Sequence, residues 1–253
     1  MSDAGAGPAV QGDAPDVVLA IYTHPDDCEI SSGGTLAKWA AEGKRIVVAV
    51  VTDGRRGSQD PDEDVDALVR TRREEVRAGA EVMGASDVRF LDYRDGELEN
   101  TPEVRADIAR LIREVRPRIL MTADPSIWFF SDPNDPSQGA YFNHRDHRMT
   151  GEAVLDAAAP GAGNPHFFPE QLAEGLEPWD VPEAWLAPTT EPNHTEDVSG
   201  FVQTKIAALR EHKSQLTDDQ LAMFEEWIPS WAHLQGKQIG VEAGEGFRVL
   251  RLG

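Results

Sequence analysis

Two short stretches of this chain concentrate side chains that can hold a metal ion and move a proton. "HPDDCEISSGG" runs from His24 to Gly34 and sets an imidazole just before two adjacent carboxylates, Asp26 and Asp27. "HRDH" supplies His144, Asp146 and His147. Adjacent carboxylates repel, and burying either is costly unless a cation accompanies them. A catalytic zinc takes about three N and O ligands and keeps one position open for water. Two histidines and one aspartate from this set meet that requirement. One of the paired aspartates can bind the ion, which relieves the repulsion; the other can stand beside the water as a base. An ion held this way lowers the pKa of its water to roughly 7, so hydroxide is available at neutral pH. His144 and His147 are three apart and share a face on a helical turn. One can serve the metal while the other protonates a leaving group or steadies an oxyanion.

Side chains so far apart in sequence need a scaffold that brings them together. "VVLAIY", directly before His24, reads as a strand buried on both faces. In "SSGGTLAKWAAEGK", Leu36, Trp39 and Ala40 recur at helical spacing and Gly43 stops the helix. "RIVVAVVT" is a second buried strand, which makes the opening a βαβ unit. After the loop "DGRRGSQDPDEDVD" comes a long helix with Leu68, Val76, Ala80 and Met83 on one stripe. "VRFLDY" is a third strand. A helix follows, with Thr101 as N-cap and Pro102 in first position, and then "RILMTA" as a fourth strand. Asp124 to Asn143, holding "WFFSDPNDP", reads as a long irregular loop of the kind that carries function. "HRDHRMTGEAVLDAAA" becomes helical, "EAWLA" reads as a strand, "VSGFVQTKIAALREHKSQL" and "TDDQLAMFEEWIPSWAHL" as helices, and "GFRVLRL" as a closing strand. This alternation predicts a Rossmann-like three-layer α/β fold with a mostly parallel sheet, C-terminal helices and a short final strand. In the strand order 3-2-1-4-5, strands 1 and 4 are neighbours where the order reverses. The loops after them then face one crevice, which joins the two clusters.

The chain has 253 residues, 40% of them hydrophobic, enough for one sizeable core. Residues 16–253 read as one domain, and the small, polar, Pro- and Gly-rich residues 1–15 as a disordered tail. A formal charge of −21 repels nucleic acid and anionic membrane, so neither is expected as a partner. Cys28 is the single cysteine, which excludes an internal disulfide or a four-cysteine zinc site; it is expected to pack behind its loop. The N-terminus has no basic and apolar signal regions, and no apolar run approaches the roughly 18 residues of a membrane span. A cytoplasmic protein is expected. No GxGxxG follows the first strand, which argues against a nucleotide-binding module. The lack of a second metal-ligand cluster argues against a two-ion phosphatase.

In chain order, "HPDDCEISSGGTL", "VTDGRRGS", "RREEVRAGAEVMGASDVRFLDYRDGEL", "NHRDHRMTG" and "PNHTEDVS" followed by "KIAALREHKSQ" resemble the PIG-L/LmbE-like metal-dependent deacetylases. The resemblance covers most of the chain. It implies a Rossmann-like fold and a zinc ion, with iron able to substitute. It also implies that His24, Asp27 and His147 are the ligands and Asp26 the general base. His144 becomes general acid or oxyanion partner, with Asp146 orienting it and raising its pKa. Arg73 and Asp95 resemble positions that hold sugar hydroxyls. The pattern departs at Ser31, where glycine is frequent, and at Phe142, where some sugar deacetylases carry a tyrosine; here Tyr141 is one step earlier. Trp128, Phe129 and Phe130 are candidates for an aromatic wall against a sugar ring. His212 and Gln215 are expected to make a structural bond near the site, and Trp227 and Trp231 to lie in the core. The implied activity is hydrolysis of an acetyl amide on an N-acetylated amino sugar or its conjugate, a small-molecule substrate. The rival is an amidase that cuts a larger acyl or thiol-conjugate amide. The oligomeric state is left open, a homo-oligomer included.

Overall fold

The computed structural model describes residues 16–131 and 140–252, so the anticipated tail lies outside the described residues. Strand β1 (Val17–Tyr22) is buried along its whole length. Its neighbours are β2 (Arg45–Thr52) and β4 (Ile119–Thr122), both parallel to it, and β3 (Asp87–Tyr93) runs parallel to β2. β7 (Glu183–Leu186) is parallel to β4. The order β3-β2-β1-β4-β7 is the 3-2-1-4-5 order expected from sequence. Two antiparallel strands extend it: β9 (Gly244–Arg251) pairs with β7, and β8 (His194–Asp197) pairs with β9.

The period of two along β1 divides the core. Val17, Leu19 and Ile21 face α3 (Pro102–Val115), α4 (Arg145–Asp156) and the kinked segment Ala157–Ala162 that continues it. Val18, Ala20 and Tyr22 face α1 (Asp27–Ala41), α2 (Val65–Val82) and α6 (Val202–Leu209). Each valine, leucine or isoleucine among them contributes about 1.5–3 kcal/mol on burial. The result is helix layers on both sheet faces, the three-layer α/β fold. α2 is capped by Asp64, which accepts from Ala67 N at 3.0 Å, and α3 by Thr101 with Pro102 in its first turn. A short α5 (Pro169–Ala173) follows the kinked segment. α7 (Asp218–Lys237) begins with a capping box between Thr217 and Gln220. Among the described residues, no helix is long and apolar enough to cross a membrane.

The structure corrects the sequence reading at three places. The segment read as an irregular loop contains an antiparallel hairpin, β5 (Phe129–Ser131) and β6 (Ala140–Phe142), which pairs Phe129 with Phe142 and Phe130 with Tyr141. The residues between its strands, 132–139, are outside the described set. α6 stops at Leu209 instead of running through "REHKSQL", because the following turn is tied to other elements: Ser214 N and Oγ donate to Glu75 at 2.7 Å each. Trp227 and Trp231, expected in the core, lie half-exposed on the outer face of α7. Ile228, Ala232, Gln235 and Gly236 occupy its inner face.

Candidate metal centre

β1 ends at Tyr22 and α1 begins at Asp27, so Thr23 to Asp26 turn the chain within four residues. Asp26 has φ 100° and ψ −25°, a left-handed conformation that costs a side-chain-bearing residue about 1–3 kcal/mol. The buried Arg72 of α2 holds the turn: its Nη2 donates to Pro25 O and its Nη1 to Gly54 O, both at 2.8 Å. The same guanidinium lies 3.5 Å from Asp26 Oδ2. Thr23, at the same strand end, donates through Oγ1 to Thr150 Oγ1 at 2.9 Å, which ties β1 to α4.

The adjacency of β1 and β4 brings the N-terminus of α4 over this turn. His24 Nδ1 is 3.1 Å from His147 Nε2 and 3.3 Å from Asp27 Oδ2, and His147 Nε2 is 3.1 Å from Asp27 Oδ2. Bonds of ~2.0–2.1 Å in a tetrahedron set ligand atoms about 3.3–3.4 Å apart. The three donor atoms therefore match one face of a zinc-sized tetrahedron, with the fourth vertex left for water or substrate. The donor set fits an ion chemically as well. Burial opposes a charge on His24, but the carboxylates of Asp27 and Asp95 outweigh it and raise the imidazole to about 10. Burial pushes the Asp27 carboxyl up, yet His147 and His24 pull it well below the usual range. A pocket that draws in protons this strongly demands positive charge, and a divalent ion meets the demand by displacing them.

Each imidazole is aimed from behind. His24 Nε2 lies 3.1 Å from Asp95 Oδ1, and Asp95 Oδ2 accepts from Arg56 N at 3.0 Å. Asn143 Nδ2 donates to Ile127 O at 2.8 Å, which turns its Oδ1 to accept from His147 Nδ1 at 2.9 Å. His24 Nδ1 and His147 Nε2 are thereby left facing each other and Asp27, the pattern that fixes metal-ligating histidines.

Asp26 and His144 flank this triangle. Burial first, then the neighbouring Asp27, raises the Asp26 carboxyl to about 6, against the pull of Arg72, His212 and His24. His144 is exposed at the start of α4 and packs edge-on to the His24 ring at 4.9 Å. Burial of its ring and the charges of His24 and His147 push it below the usual histidine value; Asp146 acts the other way and is outweighed. Asp146 does not hydrogen-bond His144. Its Oδ2 accepts from Gly96 N at 2.6 Å and lies 3.9 Å from His24 Nε2. Asp146 thus raises His144 as expected but does not decide its net direction, and its hydrogen bond makes it an anchor between α4 and the loop after β3.

Two further expectations are revised. Arg73 faces away from the centre, where it pairs with Asp92 and lies over the Phe90 ring at 5.1 Å; its neighbour Arg72 is the one that reaches inward. Asp95 is buried and engaged by His24 and the Arg56 amide, so it faces the back of an imidazole and not an open sugar site. His212 is fully buried 3.3 Å from Glu29 Oε1, in the structural place expected of it. Gln215 reaches the loop after β2, where its Oε1 would lie 2.2 Å from a Cβ placed on Gly57. Cys28 is buried behind the turn. On the hairpin, Tyr141 and Asn143 share one face, and the Tyr141 hydroxyl is pushed up by burial and then by the charges of Asp27 and Asp26. Phe142 points to the opposite face with Phe129. Trp128 is exposed and carries the Arg148 guanidinium 4.0 Å over its ring.

Residues 19–158 match the family profile described as PIG-L: GlcNAc-PI de-N-acetylase. The chain belongs to the PIG-L family. It is similar to the diacetylchitobiose deacetylase of Thermococcus kodakarensis, 35% identical over 92% of this chain and 82% of that one. The solved N,N'-diacetylchitobiose deacetylase of Pyrococcus horikoshii is 33% identical and superposes with a TM-score of 0.84, covering 93% of this chain and 84% of that one. The 4-carboxy-2-hydroxymuconate hydratase of Pseudomonas putida, 18% identical, covers 93% of this chain and 96% of its own with a TM-score of 0.75, a likeness of fold alone. In this PIG-L chain the residues that hold the centre in place and that the sequence reading passed over are Arg72 and Asn143. Arg72 carried a signal: it lies midway between Leu68 and Val76 on the buried stripe of α2, where a charged residue needs an interior partner. Asn143 stands one residue before "HRDH", and nothing in that spacing marks it.

Proposed function

We propose that the chain is a zinc-dependent hydrolase that removes the acetyl group from an N-acetylated amino sugar or its conjugate, with ferrous iron able to replace zinc. The observation that carries the reading is the triangle of donor atoms from His24, Asp27 and His147 with an unligated, strained carboxylate beside it. His24, Asp27 and His147 would hold the ion, and Asp95 and Asn143 aim the imidazoles. When bound, the ion supplies Lewis acidity toward water and the acetyl carbonyl. Asp26, raised toward neutrality, takes a proton from the attacking water. His144, open to solvent at the helix start, gives a proton to the departing amine, so that acetate and a free amino sugar leave. Tyr141, on the side of the hairpin that faces the two aspartates, is in a position to support the developing oxyanion. The names borne by the similar diacetylchitobiose deacetylases support a chitooligosaccharide-like substrate over a larger acyl amide.

A turnover screen of N-acetylglucosamine, its disaccharide and longer N-acyl amides tests the reading. Acetyl sugars should be hydrolysed fastest, and Asp26→Ala should keep the ion while turnover falls at least ~100-fold. An active Asp26→Ala enzyme would overturn the role of Asp26. A clear preference for long acyl groups would overturn the substrate.

A further inference from the structure

The outer face of α7 carries a feature that the catalytic reading does not use. Met223, Trp227, Trp231 and Leu234 are 56%, 47%, 48% and 53% exposed. Their spacing of four, four and three residues puts them in one row across about three turns, roughly 17 Å long. The two tryptophan rings lie 6.1 Å apart at an interplanar angle of 11°, so they present one ordered surface. Side chains of this size carry roughly 150–250 Å² each, so half exposure of four leaves about 400 Å² of continuous apolar surface. That is the size of the largest apolar patch on a typical monomer, which is often functional, and about half of what each partner gives to a standard interface.

We infer that this face pairs with the same face of a second copy of the chain, the two α7 helices running antiparallel about a two-fold axis near Pro229. The row is close to palindromic about that point. Antiparallel pairing sets Trp227 against Trp231 of the second copy, and Met223 against Leu234. Such a contact doubles the buried apolar area to about 800 Å² before the rim is counted, and the rim brings it toward the range of specific dimers. The charges agree with this direction. Asp219, Glu226, Ser230, His233 and Lys237 lie along one flank of the row. In the antiparallel arrangement Glu226 meets His233 of the second copy, Asp219 meets Lys237, and the two Ser230 side chains approach each other at the axis. An isologous contact of this kind closes after two chains and leaves no sticky surface.

Sedimentation velocity of the full chain at tens of micromolar tests the pairing, together with the variant carrying Trp227→Glu and Trp231→Glu. The wild type should sediment as a dimer. The double variant should associate at least ~100-fold more weakly, because it buries unpaired carboxylates opposite each other. Its circular dichroism spectrum and turnover should match wild type, since both residues are half-exposed and outside the site. Ser230→Cys should form a disulfide-linked dimer on mild oxidation, with Cys28 buried and unable to compete. Lys237→Glu should weaken the dimer, and Asp219→Lys added to it should restore it. A monomeric wild type, an oligomer indifferent to the two tryptophan substitutions, or failure of Ser230→Cys to cross-link would each overturn the inference.

Discussion

Arg72→Met removes the side chain that holds the Asp26 turn while keeping its length and apolar stem. In the native protein the guanidinium satisfies two inward carbonyls, Pro25 O and Gly54 O, each at 2.8 Å. Leaving a buried acceptor unpaired costs about 1–3 kcal/mol, so two of them predict a loss of about 2–6 kcal/mol. For a chain of this size that corresponds to a fall in Tm of roughly 5–20 °C. The second effect is chemical. Asp26 sits at φ 100°, and without Arg72 nothing compensates that conformation at Pro25 O. A shift of the carboxylate by about 1 Å is enough to lower kcat by ~100-fold. Arg72→Lys should recover only part of either loss, since one ammonium cannot span both carbonyls as the planar fork does. Arg73→Met is the internal control. Its residue makes a surface pair with Asp92, worth at most about 1 kcal/mol, and should change neither quantity appreciably. Differential scanning calorimetry and steady-state kinetics on the three variants supply the data. An Arg72→Met protein that melts within about 2 °C of wild type and turns over at a similar rate would refute the reasoning, and so would equal damage from Arg73→Met.

Asp95→Asn should lower metal affinity by about 10–100-fold with the fold intact, because it removes the carboxylate that aims and charges the His24 ring; competition with a chromophoric chelator measures this, and unchanged affinity would remove Asp95 from the site. The buried His212 gives a pH signature. Burial disfavours its charged form, but Glu29 outweighs burial and raises its pKa above the unfolded value of ~6.5. The stabilisation from that raised pKa is complete below ~6.5 and disappears as pH rises through the folded value. The denaturation midpoint of wild type relative to His212→Gln should therefore show its largest advantage in mildly acidic buffer and lose it toward alkaline pH. A difference that grows with pH would mean that His212 is buried neutral.

Much of the scaffold is legible in sequence because burial on both faces leaves a blunt mark. β1 and β2 are mostly apolar runs rich in branched residues, and the stripe Leu68, Val76, Ala80 and Met83 fixes the inner face of α2. With that array, the meeting of His24 and Asp27 with His147 follows from the topology of β1 and β4. Elements held by distant partners leave weaker marks. β8 is four polar-leaning residues, His194–Asp197, whose strand state depends on pairing with β9. β5 and β6 are three residues each, and the prolines and aspartates around them read locally as a loop. Trp227 and Trp231 have helical spacing, but spacing alone does not say which face of α7 is inside; Ile228 and Ala232, one residue on from each, take that side. The adjacent arginines show the same limit at finer scale. Arg72 and Arg73 are about 100° apart around the helix, and only continuity with Leu68 and Val76 tells the inward one from the outward one.

Metal content, measured on purified wild type, His24→Ala, His147→Ala and Asp26→Ala after equilibration with zinc and removal of the excess, reaches the centre of the account. One zinc per chain is predicted for wild type and for Asp26→Ala, and well under one for either histidine variant, with all four proteins folded by circular dichroism. Stoichiometric zinc retained by both histidine variants, or none bound by folded wild type, would contradict a centre built jointly by the turn after β1 and the first turn of α4.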